Sequence, residues 1–228
     1  MKQLLLDLSL ENIPTLENFV PGRNGELLHV LNELLTTSSA GNFIYCWGGS
    51  GSGKSHLLKS VREACIRLKR YHVAYFTCDQ YTEFERNNDN SPDCIIVDDV
   101  DRLGPEAQIN LFNLYNQARD ECLALFLVSG KSAPAQLQLR QDVITRLSWG
   151  LVYQIHELTD EEKGQAMKRY AVNSGFELSE EVCDYLLRYE KRNMPYLIKV
   201  IDALGRYSLM LQRPITLPLL RQFLHEVL

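Results

Sequence analysis

The chain has 228 residues, 45% of them hydrophobic and 23% charged, enough for one substantial core with a small satellite and too little for two full domains. Its formal charge is -5, from 24 basic and 29 acidic residues, and no run of Lys and Arg could neutralise a row of phosphates, so autonomous tight binding to DNA is disfavoured. The leucine-rich start MKQLLLDLSLENIP is broken by Asp7 and Glu11 and lacks a small-residue cleavage site, and no later stretch approaches the length of a membrane span.

In chain order, residues 1–14 have no evident partner element and are expected to form a flexible arm. Within it, Gln3 precedes leucines at the alternating positions Leu4, Leu6 and Leu8. An extended peptide of this kind offers one apolar face to a partner's groove, or folds as an ordinary edge strand on its own protein. Five short runs rich in β-branched and aromatic residues follow: 43–47 (FIYCW), 73–77 (VAYFT), 94–98 (CIIVD), 124–128 (ALFLV) and 152–155 (VYQI). Helix-length segments separate them, which is the alternation of βαβ units. The continuous apolarity of the third and fourth runs suits strands of a parallel sheet covered on both faces. Residues 15–156 therefore read as one α/β core, with a surface loop at 86–92 (RNNDNSP).

Beyond residue 156 only helix-period segments appear, so 157–228 read as an all-helical subdomain of about four helices. Thr159 or Asp160, Ser179 and Thr216 stand at N-cap positions, and the apolar residues of RNMPYLIKVIDAL (192–204) are spaced to pack this subdomain. Six cysteines, Cys46, Cys65, Cys78, Cys94, Cys122 and Cys183, are scattered singly without a CxxC pair or a His at ligand spacing. They read as reduced, buried thiols of a cytosolic protein rather than as a disulfide framework or zinc site.

The strongest motif is Gly48, Gly49, Ser50, Gly51, Ser52, Gly53, Lys54, Ser55, a GxxxxGK[ST] sequence between an apolar strand and an amphipathic helix. Glycines let backbone N–H groups close around phosphate oxygens, and the following helix N-terminus adds partial positive charge. Lys54 is placed to reach the β and γ phosphates of ADP or ATP, and Ser55 to offer its hydroxyl to Mg²⁺. The second motif is the apolar strand Cys94 to Asp99, ending in two acids. Asp98 would hold the metal through its water shell and Asp99 would orient or deprotonate an attacking water. Ser129 closes the fourth run, where it either contacts the γ phosphate or simply begins a loop. Arg146, in TRLSWG, lies near the end of a helical segment; taken alone, it reads more readily as a solvated or salt-bridged surface group.

Together these residues resemble the AAA+ domain of the bacterial replication initiator DnaA and its relatives. The resemblance rests on Asn18-Phe19-Val20-Pro21-Gly22 with Asn24, GGSGSGKSHLL, IIVDD, LFNLYNQ (111–117), QLQLRQDVITRLSWG (136–150) and ELTDEEK (157–163), spread over nearly the whole chain. The RLSWG segment and the QLLLDL arm are more specific than the two phosphate-site motifs, which many NTPases share. The resemblance implies a five-stranded parallel sheet in the order 5-1-4-3-2 with a helical lid closing over the nucleotide. It implies that segment 18–24, with Phe19, Val20 and Pro21, lines the adenine pocket, and that Ser129 is the first sensor residue. Arg146 would be an arginine finger acting on a neighbouring subunit's nucleotide, and Gln3, Leu4, Leu6 and Leu8 a sliding-clamp-binding motif. The function implied is negative control of replication initiation in the cytoplasm, with DnaA and the clamp as partners and homo-oligomers as a further option.

Two departures from the family pattern follow. The chain ends at Leu228 just after the lid, so the initiator's DNA-binding helix-turn-helix is not expected, in keeping with the acidic charge. The second sensor arginine of the family falls at Pro195, and Arg192, nearly one turn earlier, is its candidate substitute; weak intrinsic hydrolysis is the expectation. The alternative, carried by Lys54 and the Asp98-Asp99 pair, is an autonomous ATPase such as a helicase loader of the DnaC type. A third reading is a nucleotide-dependent adaptor.

Overall fold

The computed structural model describes residues 13–37, 41–69, 71–78 and 92–227. The expectations placed on Gln3, Leu4, Leu6 and Leu8, and on the loop before Pro92, lie outside the described residues. Pro14–Leu158 form one compact unit. Its strands β1 (Asn42–Trp47), β2 (Val73–Thr77), β3 (Cys94–Asp98), β4 (Leu125–Gly130) and β5 (Leu151–Gln154) build a parallel sheet in the order β2-β3-β4-β1-β5. This is the order that the family resemblance implies.

Side-chain alternation along each strand divides the core into two layers. Ile44, Cys46, Cys94, Ile96 and Leu127 point to one face, against Leu57, Leu58 and Val61 of helix α2 (Lys54–Leu68) and Leu27, Leu28, Leu31 and Leu35 of helix α1 (Gly25–Thr36). Tyr45, Ile95, Val97, Phe126 and Val128 point to the other, against Leu111, Leu114 and Tyr115 of helix α3 (Pro105–Asp120) and Val143 and Leu147 of helix α4 (Gln141–Leu147). Strands β3 and β4 are buried throughout, which accounts for their unbroken apolar runs. Helix α1, which the sequence analysis does not predict, carries its four buried leucines on one helical stripe.

The helices α5 (Asp160–Asn173), α6 (Glu180–Tyr189), α7 (Met194–Leu211) and α8 (Leu217–Val227) belong to the second unit, which begins at Thr159. They close on a core that includes Met167, Ala171, Val182, Leu186, Leu197, Ile201, Leu204, Leu220 and Phe223. Of the two candidate caps, Thr159 rather than Asp160 starts α5: its hydroxyl accepts from Glu162 N at 3.3 Å and Glu162 accepts from Thr159 N at 2.8 Å, a reciprocal capping box. Ser179 caps α6, and Thr216 accepts from Leu219 N. Asn193, a cap not among those predicted, caps α7, and Pro195 sits in that helix's first turn, where a missing N–H leaves no gap in the ladder.

The thiols are less uniform than expected. Cys46, Cys65, Cys94 and Cys183 are buried, but Cys78 is half-buried and Cys122 is exposed at a left-handed turn residue with φ 53°. Cys65 and Cys94 are neighbours rather than scattered, with sulfurs 4.0 Å apart between α2 and β3. No helix among the described residues is long and apolar enough to cross a membrane.

The cap at Thr159 yields a stability prediction. Thr159→Ala removes one side of the capping box and is expected to destabilise the helical unit by about 0.5–2 kcal/mol, read as a lower midpoint in urea unfolding followed by far-UV circular dichroism.

Candidate functional site

In a parallel sheet the C-terminal ends of all strands emerge on one edge, and the loops leaving β1, β3 and β4 carry the polar groups here. The loop after β1 leads into α2 with Gly51 and Gly53 at φ 83° and 100°, conformations that side chains rarely adopt. A Cβ at Gly48 would lie 2.5 Å from the Ile155 carbonyl oxygen, so the loop can lie this close to its neighbour only without a side chain. Helix α2 begins with no side-chain cap and no acid in its first turn, leaving its N-terminal N–H groups and partial positive charge for an anion.

Lys54 opens α2 and is buried, and its ammonium donates to the carbonyl oxygens of Gly48 and Gly49, each at 2.9 Å. Ser52 Oγ is buried and finds no hydrogen-bond partner among the described residues. An orphaned hydroxyl, an uncapped helix start, a buried cation and a glycine loop that any Cβ would fill are together the donor set that suits a nucleotide's phosphates. Ser55, in the same first turn, and Asp98 supply oxygens of the type that Mg²⁺ and its water shell take.

The acids lie at the ends of β3 and β4. Asp98 is only 5% exposed, and a buried carboxylate needs donors. Ser129 Oγ donates to its Oδ1 at 2.5 Å and the Tyr75 hydroxyl of β2 donates to its Oδ2 at 2.9 Å. The Ser129 oxygen also accepts from Asp99 N at 3.0 Å, so one hydroxyl ties the end of β4 to both acids. The phenol of Tyr75 is pushed well above its ordinary range by burial and by the Asp98 charge, so it remains a donor. Asp99 follows in a left-handed conformation, φ 57°. Its carboxyl is raised above the usual carboxylate range by burial first and by the Asp98 charge second, with Lys54 opposing.

Segment 18–24 meets the same region from the other side. Phe19 is buried with its ring against Gly53 and 5.6 Å from the His56 ring. His56 Nε2 lies 2.9 Å from Asn18 Oδ1, and burial holds the imidazole below its ordinary pKa. Buried Asn24 makes two bonds to one residue after β5, donating to the His156 oxygen and accepting from His156 N. Val20 is half-buried and Pro21 exposed. The structure thus brings together Phe19, the 48–55 loop, Asp98, Asp99 and Ser129. Tyr75, His56 and His156 were missed by the sequence reading. Tyr75 had only its place in a strand adjacent to the acidic one as a signal.

Among the described residues Arg146 makes no hydrogen bond to these groups; it sits in the last turn of α4. Its guanidinium lies over three aromatic rings, 4.6 Å from the centroid of Trp149, 5.6 Å from Phe112 and 5.9 Å from Tyr115, and among the described residues it forms no ion pair. Arg192 differs: within the helical unit its guanidinium pairs with Asp160 at 3.1 Å, both side chains being more than half exposed.

Comparison with known proteins assigns the family. The Bacterial DnaA ATPase domain model matches residues 10–154, and the Hda lid domain model matches residues 160–224. The chain belongs to the Hda/DnaA family of AAA+ proteins. It is thereby a DnaA-related replication regulator with a nucleotide-binding core. Domain III of the Thermotoga maritima initiation protein DnaA shares its fold with a TM-score of 0.81, at 22% identity over 94% of this chain and 97% of that one. AMPPCP-bound DnaA from Aquifex aeolicus gives 0.72 at 26% identity, over 86% of this chain and 66% of that one. A DnaA bound to AMPPCP and single-stranded DNA gives 0.70 at 28% identity, over 90% and 69%. The Thermotoga maritima branch-migration motor RuvB shares the fold alone, with a TM-score of 0.69 and 14% identity over 93% and 71%.

The raised Asp99 pKa gives a signed prediction. A carboxyl raised in the folded state contributes stability below its unfolded pKa of about 3.9, and that contribution is lost as the pH rises through the folded value. Asn keeps the left-handed conformation accessible and removes the charge. Asp99→Asn is therefore expected to melt at a higher temperature than the parent at neutral pH, with the gap narrowing as the pH falls through the raised folded value and closed below about 3.9; thermal melts from neutral to acid pH check it.

Proposed function

We propose that this chain is a negative regulator of replication initiation that stimulates ATP hydrolysis by DnaA. In this reading residues 1–14 are a clamp-binding arm, with Gln3, Leu4, Leu6 and Leu8 filling a groove on the sliding clamp. Residues 15–156 hold the nucleotide, and 157–228 form the lid. The observation that carries the proposal is Arg146: its guanidinium lies over aromatic faces and has no ion-pair partner among the described residues, as suits a group meant for another molecule's phosphates.

The core's own site is read as a brace. The 48–55 loop and Lys54 would hold the phosphates of ADP or ATP, Phe19, Val20 and Pro21 the base side, and Ser55 and Asp98 the Mg²⁺ shell. The metal, when bound, screens the phosphate charge. Ser129 and Tyr75 orient Asp98, and Asp99 would hold or accept a proton from water. With Pro195 at the family's second sensor position and Arg192 paired to Asp160, self-catalysed turnover is expected to be slow. Arg146 acts in the partner's site. There, charge spreads over the oxygens of the transferring phosphoryl group of the initiator's ATP, and a planar cation offering several N–H donors stabilises that spread; fingers of this kind are worth about 10³–10⁵ in rate.

The test is reconstitution of the full chain with clamp on DNA and DnaA loaded with ATP. Arg146→Ala is expected to lose nearly all stimulation; stimulation equal to the parent's would refute the finger. Separately, replacing Gln3 and Leu6 together by Ala is expected to abolish retention on immobilised clamp, and undiminished retention would dismiss the arm. The intact Lys54 and Asp98-Asp99 pair favours a second reading, an autonomous ATPase of the helicase-loader kind. Rapid steady-state hydrolysis by the purified protein alone would select it.

A further inference from the structure

We infer that Trp149 is a positioning residue for Arg146, holding its guanidinium in the orientation in which it meets a partner's phosphoryl group. The inference rests on the trans-acting finger proposed above and deepens it. Trp149 is 62% exposed, unusual for the largest apolar side chain, and it belongs to neither buried core of its unit. Its ring is nevertheless engaged: it carries the shortest of the three cation–ring distances made by Arg146, 4.6 Å. Trp149 N also donates to the Arg146 carbonyl oxygen at 3.2 Å, in the turn that ends α4. Backbone and ring thus hold the same residue, and the rings of Phe112 and Tyr115 of α3 also lie by the guanidinium.

The choice of aromatic over acidic partners has a chemical consequence. A carboxylate would orient the guanidinium by accepting its in-plane N–H groups, and would neutralise the charge needed at a phosphoryl oxygen. A ring face attracts the cation through its quadrupole from above the guanidinium plane, leaving the in-plane donors unengaged. A long, flexible arginine near a surface is thereby ordered before it meets its target, without losing its charge. Since Trp149 contributes little to the core, its removal should leave the fold intact and change how well Arg146 is aimed.

The experiment is the same reconstitution, with the full chain titrated against clamp-bound DNA and ATP-loaded DnaA. Trp149→Ala is expected to lower the maximal stimulated rate about threefold to tenfold while leaving the half-saturating concentration unchanged. Trp149→Phe, which keeps a ring face, is expected to restore most of the rate. In an Arg146→Ala background the loss of Trp149 should add nothing further. A full maximal rate for Trp149→Ala, with Arg146→Ala inactive, would overturn this inference alone. So would a raised half-saturating concentration at full maximal rate, which marks a docking contact instead. Full rates for both single variants would overturn the trans-finger function itself.

Discussion

A buried carboxylate organises the C-terminal edge of the sheet. Asp98 is almost wholly removed from water, and an ionised group in that position requires donors on its lone pairs. They come from two different strands, Ser129 at the end of β4 and Tyr75 in β2. Because Ser129 also accepts from the Asp99 backbone, the ends of β3 and β4 are fixed to each other by one hydroxyl. The two acids and the hydroxyl are therefore tied to one another. The parallel order of the strands makes this possible, since it delivers all their ends to the same side.

The cations Lys54 and Arg146 are held in opposite ways. Lys54 is buried and donates to carbonyl oxygens of its own loop, a polar cage that holds an ammonium close to where phosphates would lie. Arg146 lies on aromatic rings at the end of a short helix, away from any acid with which it could pair among the described residues. An ammonium is a compact, strongly hydrated charge suited to a pocket, whereas a guanidinium is planar and weakly hydrated and tolerates a ring face.

Much of the architecture could be read without coordinates because its signals are local. The glycine loop is eight consecutive residues, the buried strands are unbroken apolar runs, and the caps at Thr159 and Ser179 stand immediately before their helices. The strand order came from the family resemblance, and the sheet bears it out. Helix α1 precedes the first strand and lies outside the strand–helix alternation, so its leucine stripe alone marks it in the sequence.

The sequence by itself determined that a phosphate-type loop, an acid-tipped strand and a helical C-terminal part exist, because contiguous residues carry each of these through hydrogen bonding and periodicity. Only the tertiary structure decided which donors meet Asp98, with Tyr75 lying 23 residues away in sequence, and that Asn24 bridges to His156 across 132 residues. It alone set Arg146 on rings drawn from α3 and from the turn after α4. Pairings of this kind depend on how helices settle on the two faces of a sheet, a matter of packing between distant segments that no local pattern encodes.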